Sequence, residues 1–435
     1  MDTSKASEGI KIGPLWLSPG ITRVNMIALI VAAIASNTLM SFINIIQPLL
    51  LEEVLQIPGN RQGTVSGNLT FISELSALLL LGYFGALSDR TGRRPIVVFG
   101  FVMLGIGYLL YPYMPDEYYL YASRAVFAIG VAGVSGMTAT ILNDYPQERS
   151  RGKMMAVGGV ASGAGGVMMM IVAMLPARLE SSGMTTEQAI KVTLICMFVA
   201  CVLTAIFLRY FLSAVKPAAN SESLPLLTKL RLGLTAMRRP RISVAYASAF
   251  VARSDFVVVG TFFFLWYVQT ADEAGMSTAD ATARAGIIFA VMQLSALCSA
   301  PLVGILIDRI DRLVALAICM GVVALGYTGM GLIEDPQSPI IWVAAVAVGA
   351  GMMSGFLASQ ALVGEAAEPE IRGSIIGLFG LCGAIGILFV SSTGGFIYDQ
   401  WLRSGPFLLT GVLATLLALG ALIVKSRENR EALSA

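Results

Sequence analysis

Four ionisable side chains stand inside long apolar runs of this 435-residue sequence: Glu74, Arg124, Arg253 and Asp255. A charge held in hydrocarbon costs roughly 2.5–3.5 kcal/mol even on the milder insertion scales, so such residues mark functional positions by default. There is no histidine, which leaves the carboxylates to carry any proton chemistry. A carboxylate in low dielectric can bind and release a proton near neutral pH, whereas a guanidinium stays charged and holds an anion. Glu74 is therefore either a proton carrier or half of a static ion pair. Arg253 and Asp255 are two residues apart, which turns them roughly 200° from each other on a helix. They are poor partners: one is expected to face a solute pathway, the other a neighbouring helix. Asn37, Ser41, Asn44 and Gln47 recur every three or four residues on one face. That stripe either hydrogen-bonds a solute or glues helices together.

The elements that must position these groups are membrane spans. Hydrophobic residues make up 56% of the chain, charged residues 13%, and the mean hydropathy is +0.77. Ordinary soluble domains are far more charged. The apolar runs reach the ~20 residues of helix that cross a bilayer. Spans are expected near 24–47, 65–87, 95–113, 118–142, 153–175 and 190–212, then near 242–268, 285–307, 312–332, 340–363, 373–397 and 405–424. The fold class is an all-α integral membrane protein with twelve transmembrane helices. Glu74 lies 15 residues before Asp89, ~22 Å along the helix and so near the bilayer centre. Arg253 and Asp255, 12 and 14 residues beyond Arg241, reach a similar depth. Arg124 lies about seven residues into its span, ~10 Å, from where it can also snorkel to the surface. The five cysteines fall inside apolar runs without metal-like spacing and read as packing residues. The opening residues, with Lys5, Glu8 and Lys11, carry no signal-peptide pattern.

Both termini and every even-to-odd connector fall on one side of the expected bilayer. That side holds 22 of the 29 Lys+Arg, the opposite side only Arg61, Arg178, Lys191, Arg284 and Arg403. The positive-inside rule puts both termini in the cytoplasm. The expected organisation is an N-terminal tail (1–23), a six-helix bundle (24–212), a linker (213–240), a second six-helix bundle (241–424) and a C-terminal tail (425–435). Within the linker, 217–223 has linker composition. Leucines then mix with Lys229 and Arg231 ahead of Arg238 and Arg239, the pattern of a basic amphipathic helix on the membrane surface.

Two charged connectors recur. Gly85, Asp89, Arg90, Gly92, Arg93 and Arg94 form a tight loop between spans two and three. Gly304, Asp308, Arg309 and Arg312 repeat it 219 positions later, with Asp311 where Gly92 stands and Leu313 where Arg94 stands. Asp144, Glu148 and Arg151 follow span four; Glu365, Glu368, Glu370 and Arg372 follow span ten. Here Asp144 matches Glu365, and Arg151 matches Arg372, both 221 positions apart. Two connectors repeating at almost one offset indicate an internal duplication into two pseudo-symmetric bundles. Parallel halves of this kind bury a solute site between them near the midplane. The mate of Glu74 is Gln293, polar but not titratable, so at this position one half is specialised for charge.

The loop at 85–94 matches Gly-x-Leu-x-Asp-Arg-x-Gly-Arg-Arg at every defined position. On this loop, the twelve spans and the repeat, the chain resembles the major facilitator superfamily of secondary transporters over essentially its whole length. The resemblance implies alternating access, with this loop as a cytoplasmic latch between the halves. Asp89 would then face the N-terminus of span eleven near Gly373, and Arg93 or Arg94 would pair with Asp144. The bland alternative is that these charges only satisfy the positive-inside rule. Arg124, followed by Ala128 and Gly130, partly resembles the family's helix-four pattern, whose arginine is linked to proton coupling in antiporters. The glycine-rich run at 158–166 lacks the Gly-Pro pair of the family's drug antiporters.

Together these charges point to a proton-coupled transporter of a small organic anion. Arg253 would bind the anion and Glu74 or Asp255 would carry the proton, with Arg124, Asn37, Ser41, Asn44 and Gln293 along the path. The alternative is a proton-driven exporter of amphiphilic drugs or lipids, with methionines 168–170 and the aromatic run 262–267 as greasy lining. A membrane sensor or scaffold would be expected to carry a soluble domain. No nucleotide loop or nucleophile–base pair suggests an enzyme. No cofactor or metal is expected beyond protons as coupling ion. The expected partners are a small-molecule solute and the lipid bilayer, with no nucleic acid. The expected state is a monomer in the plasma membrane, the inner membrane of a Gram-negative cell.

Overall fold

The computed structural model describes residues 9–214, 226–335, 337–368 and 371–434. After a small hairpin of β1 (Lys11–Ile12) and β2 (Leu15–Trp16), the chain is helical. It runs through α1 (Arg23–Glu53), α2 (Gly59–Thr91), α3 (Arg93–Leu110), α4 (Glu117–Asp144), α5 (Arg151–Ala173), the short α6 (Leu175–Ser181) and α7 (Thr186–Phe211). Then come α8 (Leu226–Ala236) and α9 (Pro240–Val257), which passes through a π-turn (Val258–Phe262) into α10 (Phe263–Glu273). The remaining helices are α11 (Thr278–Arg309), α12 (Arg312–Gly331), α13 (Ile340–Ala366), α14 (Arg372–Gln400) and α15 (Gly405–Ser434). Among the described residues, 12 helical stretches are long and apolar enough to cross a membrane, and each expected span falls in one. Helices overrun the apolar runs, α1 to Glu53 and α15 to Ser434, because the backbone keeps its own hydrogen bonds past the hydrocarbon edge. Starts are capped locally: Thr22 and Asn25 form a capping box at α1, Thr185 and Gln188 another at α7, and Asp116 accepts the Tyr118 and Tyr119 N–H groups at α4.

The chain divides into two compact units. One comprises Met1–Gln56 and Ile72–Ser221, the other Ile57–Phe71 and Glu222–Ala435. The opening turns of α2 thus pack with the second unit. In the first unit α3 lies against α4 and α7, and α1 against α5. Gly130 lets α4 sit directly on Leu104 of α3; a Cβ there would fall 2.5 Å from the Leu104 nitrogen. In the second unit α12 packs against α13 and α15, and α9 against α14, where Gly386 rests on the Phe250 carbonyl. The aromatic run 262–267 is core: Phe262, Phe263, Phe264, Leu265, Trp266 and Tyr267 are all buried in the second unit. It therefore does not supply the greasy lining the amphiphile reading assigned to it.

Residues 9–22 also differ from the expected tail. Leu15 and Leu17 are buried, Trp16 donates its N–H to Ser150 Oγ and accepts from the Gln147 N–H, and Arg149 stacks over the Trp16 ring at 3.8 Å. Two leucines and a tryptophan in a short polar segment find cover against the α4–α5 connector, which ties the segment down. The basic helix read around Lys229 and Arg231 is α8; residues 217–225 and Glu370 lie outside the described residues.

Candidate functional site

In the first unit the polar residues of α1 are shared between two jobs. Asn37 donates Nδ2 to the Ser162 carbonyl at 2.7 Å and Thr38 donates to the Gly165 carbonyl at 2.9 Å, binding α1 to α5. Lower on the face, Asn44 turns its Oδ1 to Arg124, whose Nη2 donates at 3.0 Å. Gln47 is buried with Oε1 unbonded, and Ser41 is half-buried. Arg124 is 3% exposed, so it does not snorkel. Its Nε donates to Ser73 Oγ of α2 at 2.6 Å, and its guanidinium lies 5.3 Å from the Phe127 ring centroid. Nη1 is buried without a hydrogen-bond partner. Glu74, next to Ser73, is half-buried.

In the second unit Arg253 and Asp255 diverge as helix geometry requires. Arg253 is exposed, its stem lying on Gly383 of α14, where a Cβ would collide with the arginine Cδ. Asp255 is 0% exposed, and neither carboxylate oxygen has a hydrogen-bond partner. The π-turn begins three residues on, and the Val258 N–H bonds back to the Asp255 carbonyl. Single π-turns inside α-helices concentrate at functional sites. Tyr327 of α12 places its hydroxyl 3.4 Å from that same carbonyl rather than on the carboxylate. Gln293 of α11 is exposed.

The loop at 85–94 forms a cluster inside the first unit. Arg93 binds Asp89 at 2.7 Å and Asp144 at 3.1 Å, and also donates to Ser88 Oγ. Of the two candidate arginines it is thus Arg93 that meets Asp144; Arg94 reaches the Leu212 carbonyl at 3.4 Å. Arg90 and Arg151 are exposed. Gly92 takes φ +91° as the single residue between α2 and α3, the left-handed backbone that calls for glycine.

A family model described as the Major Facilitator Superfamily matches residues 27–391 and 279–435. The chain belongs to the Major Facilitator Superfamily. It is a multi-pass membrane protein of a transporter family. It is 30% identical over 401 residues to the magnetosome protein MamH of Paramagnetospirillum magneticum (strain ATCC 700264 / AMB-1), covering 90% of each chain. To the magnetosome protein MamZ of the same organism it is 27% identical over 410 residues, 92% of this chain but 62% of that one. Its fold matches the nucleoside transporter NupG (TM-score 0.72, 12% identity, 92% of this chain and 99% of that one). It also matches a D-xylose-proton symporter (TM-score 0.68, 16% identity, 92% and 96%).

Within this superfamily member the second copy of the signature loop is rebuilt rather than merely degraded. Asp308 and Arg312 keep a 3.4 Å pair, and Arg312 also reaches Glu365 at 3.4 Å. Asp311, at the lost glycine, caps α12 through the Leu313 N–H at 2.9 Å and binds Arg241 at 3.0 Å and Lys425 at 2.8 Å. Arg241 further holds Glu365 and Glu428, each at 2.7 Å. Partial burial alone would raise the Asp311 pKa, but hydrogen bonds from Lys425, the Leu313 N–H and Arg241, with the Arg241 charge, hold it at about 2. Arg309 is exposed, and Arg372 donates to the Gly364 carbonyl at 3.2 Å. Gly85 and Gly304 have open space where a Cβ would stand. Sequence reasoning missed Asp399, which accepts the Gly63 and Thr64 N–H groups at 2.8 and 2.6 Å. It missed the chain from Tyr398 to Gln269 (2.6 Å) to Gln62 (2.8 Å) as well. The one available signal was an acid just beyond the apolar run that ends span eleven.

Proposed function

We propose that this chain is a proton-coupled secondary transporter of a small organic anion, working by alternating access with Asp255 as the proton-carrying group. The observation that carries the reading is the state of that carboxyl group, fully buried with neither oxygen hydrogen-bonded. An ionised carboxylate there would be uncompensated, at a cost of several kcal/mol. A bound proton would remove that cost, so its release is tied to a change in the surroundings of the carboxyl group. A coupling proton needs that link between charge and conformation. Glu74 is the second carboxylate in this role, and the loop at 85–94 with its copy at 304–312 acts as a gate on the cytoplasmic face, where both termini lie. The protein works as a monomer and needs no cofactor. Its likeness to two proteins named for the magnetosome supports the magnetosome as a location beside the cell membrane.

The test is proton uptake into liposomes holding the purified protein and an internal pH dye, with a panel of carboxylates outside and an inward proton gradient. Solute-dependent acidification is expected in the wild type and absent in Asp255→Asn. If Asp255→Asn and Glu74→Gln both keep full gradient-driven uptake, the proton-coupled reading fails.

A further inference from the structure

Arg124 presents a second charge problem, in the first unit and independent of Asp255. Its hydrogen-bond shell consists of two neutral oxygens, Ser73 Oγ and Asn44 Oδ1. Nη1 has no partner, and the residue is 3% exposed. A guanidinium does not lose its proton in a protein, so this cation cannot relieve its burial by becoming neutral. We propose that Arg124, rather than Arg253, is the anion-binding group of the transporter, and that its ligand is a monocarboxylate. This rests on the transport reading above, since the bound carboxylate is then the solute.

Three features narrow the ligand. The first is charge: one buried cation is balanced by one negative charge, and a dianion would leave an excess. Donors come second. Beside the unpartnered Nη1 lies the buried Tyr111 hydroxyl, close enough to interact with the guanidinium itself. The unpartnered Nη1 carries two N–H groups, and the planar guanidinium fork meets the two oxygens of a carboxylate bidentately. The third is the wall. Phe127, Tyr108 and Phe42, with ring centroids 5.3 and 6.3 Å apart, are buried and keep water from the guanidinium face. In such dry surroundings a carboxylate–guanidinium pair is stronger than it would be in water. Approach is over α1 and α2, where Ser41, Asn44 and Ser73 are all half-buried. Arg253 offers no comparable setting: it is exposed, with its stem on Gly383.

The experiment melts the purified wild type, Arg124→Gln and Arg124→Lys with sodium lactate and sodium benzoate. Sodium chloride at equal ionic strength and the neutral lactamide and benzamide serve as references. A ligand that binds only the folded state raises the melting temperature. The wild type should respond to the carboxylates and not to chloride or the amides. Arg124→Gln should lose that response while its ligand-free melting temperature stays equal or rises, because an uncompensated charge has gone. Arg124→Lys keeps the charge but loses the fork, and should need about tenfold more carboxylate for half the shift. No carboxylate response in the wild type overturns the inference. So does a full response in Arg124→Gln or, if that variant does not fold, in Arg124→Lys. Arg124-dependent binding without proton-driven flux leaves this site standing and removes the proton-coupled reading. Proton-driven carboxylate flux with unchanged half-saturation in Arg124→Lys does the reverse.

Discussion

Alanine at Gly92 is expected to destabilise the protein, while alanine at Gly85 or Gly304, the other glycines of the duplicated loop, is not. Gly92 is the whole connector between α2 and α3, with φ +91° and ψ 165°. This backbone region is essentially reserved for glycine, and forcing another residue into it costs of order 1–3 kcal/mol. The strain has no cheap outlet. The Gly92 N–H closes α2 on the Ser88 carbonyl at 2.9 Å, and the next residue, Arg93, holds both Asp89 and Asp144. Gly85 and Gly304 lie inside helices with nothing within 4 Å of a Cβ, so alanine there gains up to ~1 kcal/mol of helix propensity. The duplication supplies an internal control. Its second connector has two residues, Ile310 and Asp311, and Asp311 takes φ −55° at the position that matches Gly92. One extra residue turns the chain without left-handed backbone, which is why aspartate is tolerated there. Melting curves of purified protein in detergent should place Gly92→Ala below the wild type, and Gly85→Ala and Gly304→Ala at or above it. A Gly92→Ala protein as stable as the wild type would refute the assignment of backbone strain to this residue.

Asp311 sets an acid limit on stability. Its folded pKa of about 2 lies below the ordinary carboxylate value, so its contribution is complete above about pH 4 and fades as pH falls through about 2. Melting temperatures measured from pH 5 down to pH 3 should therefore fall more steeply for the wild type than for Asp311→Asn, which has already lost that contribution. Asp399→Ala leaves the Gly63 and Thr64 N–H groups without their acceptor. It should cost about 1 kcal/mol, with faster hydrogen exchange confined to the first turns of α2. Trp16→Ala removes the stack under Arg149, worth roughly 0.5–1 kcal/mol. Trypsin should then cut at Lys11 faster than in the wild type, while the melting of the rest of the chain changes little.

What could be read in the sequence was whatever depends on distance along the chain. Helix rise gives an expected depth, near the midplane for Glu74, Arg253 and Asp255. Helix twist gives relative direction, so Arg253 and Asp255 had to diverge. Neither quantity says what a side chain meets. Arg124 shows the limit: at ~10 Å into a span, snorkelling and burial are equally compatible with depth. The choice is made by Asn44 and Ser73, which come from α1 and α2 and are 80 and 51 residues away. Asp311 shows the same limit from the other side. As a string it is a glycine lost from a motif, but its partners Arg241 and Lys425 arrive from α9 and α15, 70 and 114 residues distant. The aromatic run 262–267 was ambiguous for a related reason, since apolar side chains look alike whether they face lipid, a solute or the core. The charged residues whose roles stay open to experiment are those whose partners are missing. Asp255 and Arg124 each leave a buried ionic group incompletely satisfied in one unit. A fold selected for stability alone would satisfy both groups, because a buried polar or ionic group left without a partner costs free energy. Their persistence inside helices that otherwise pack tightly is the reason to seek a proton at one and an anion at the other.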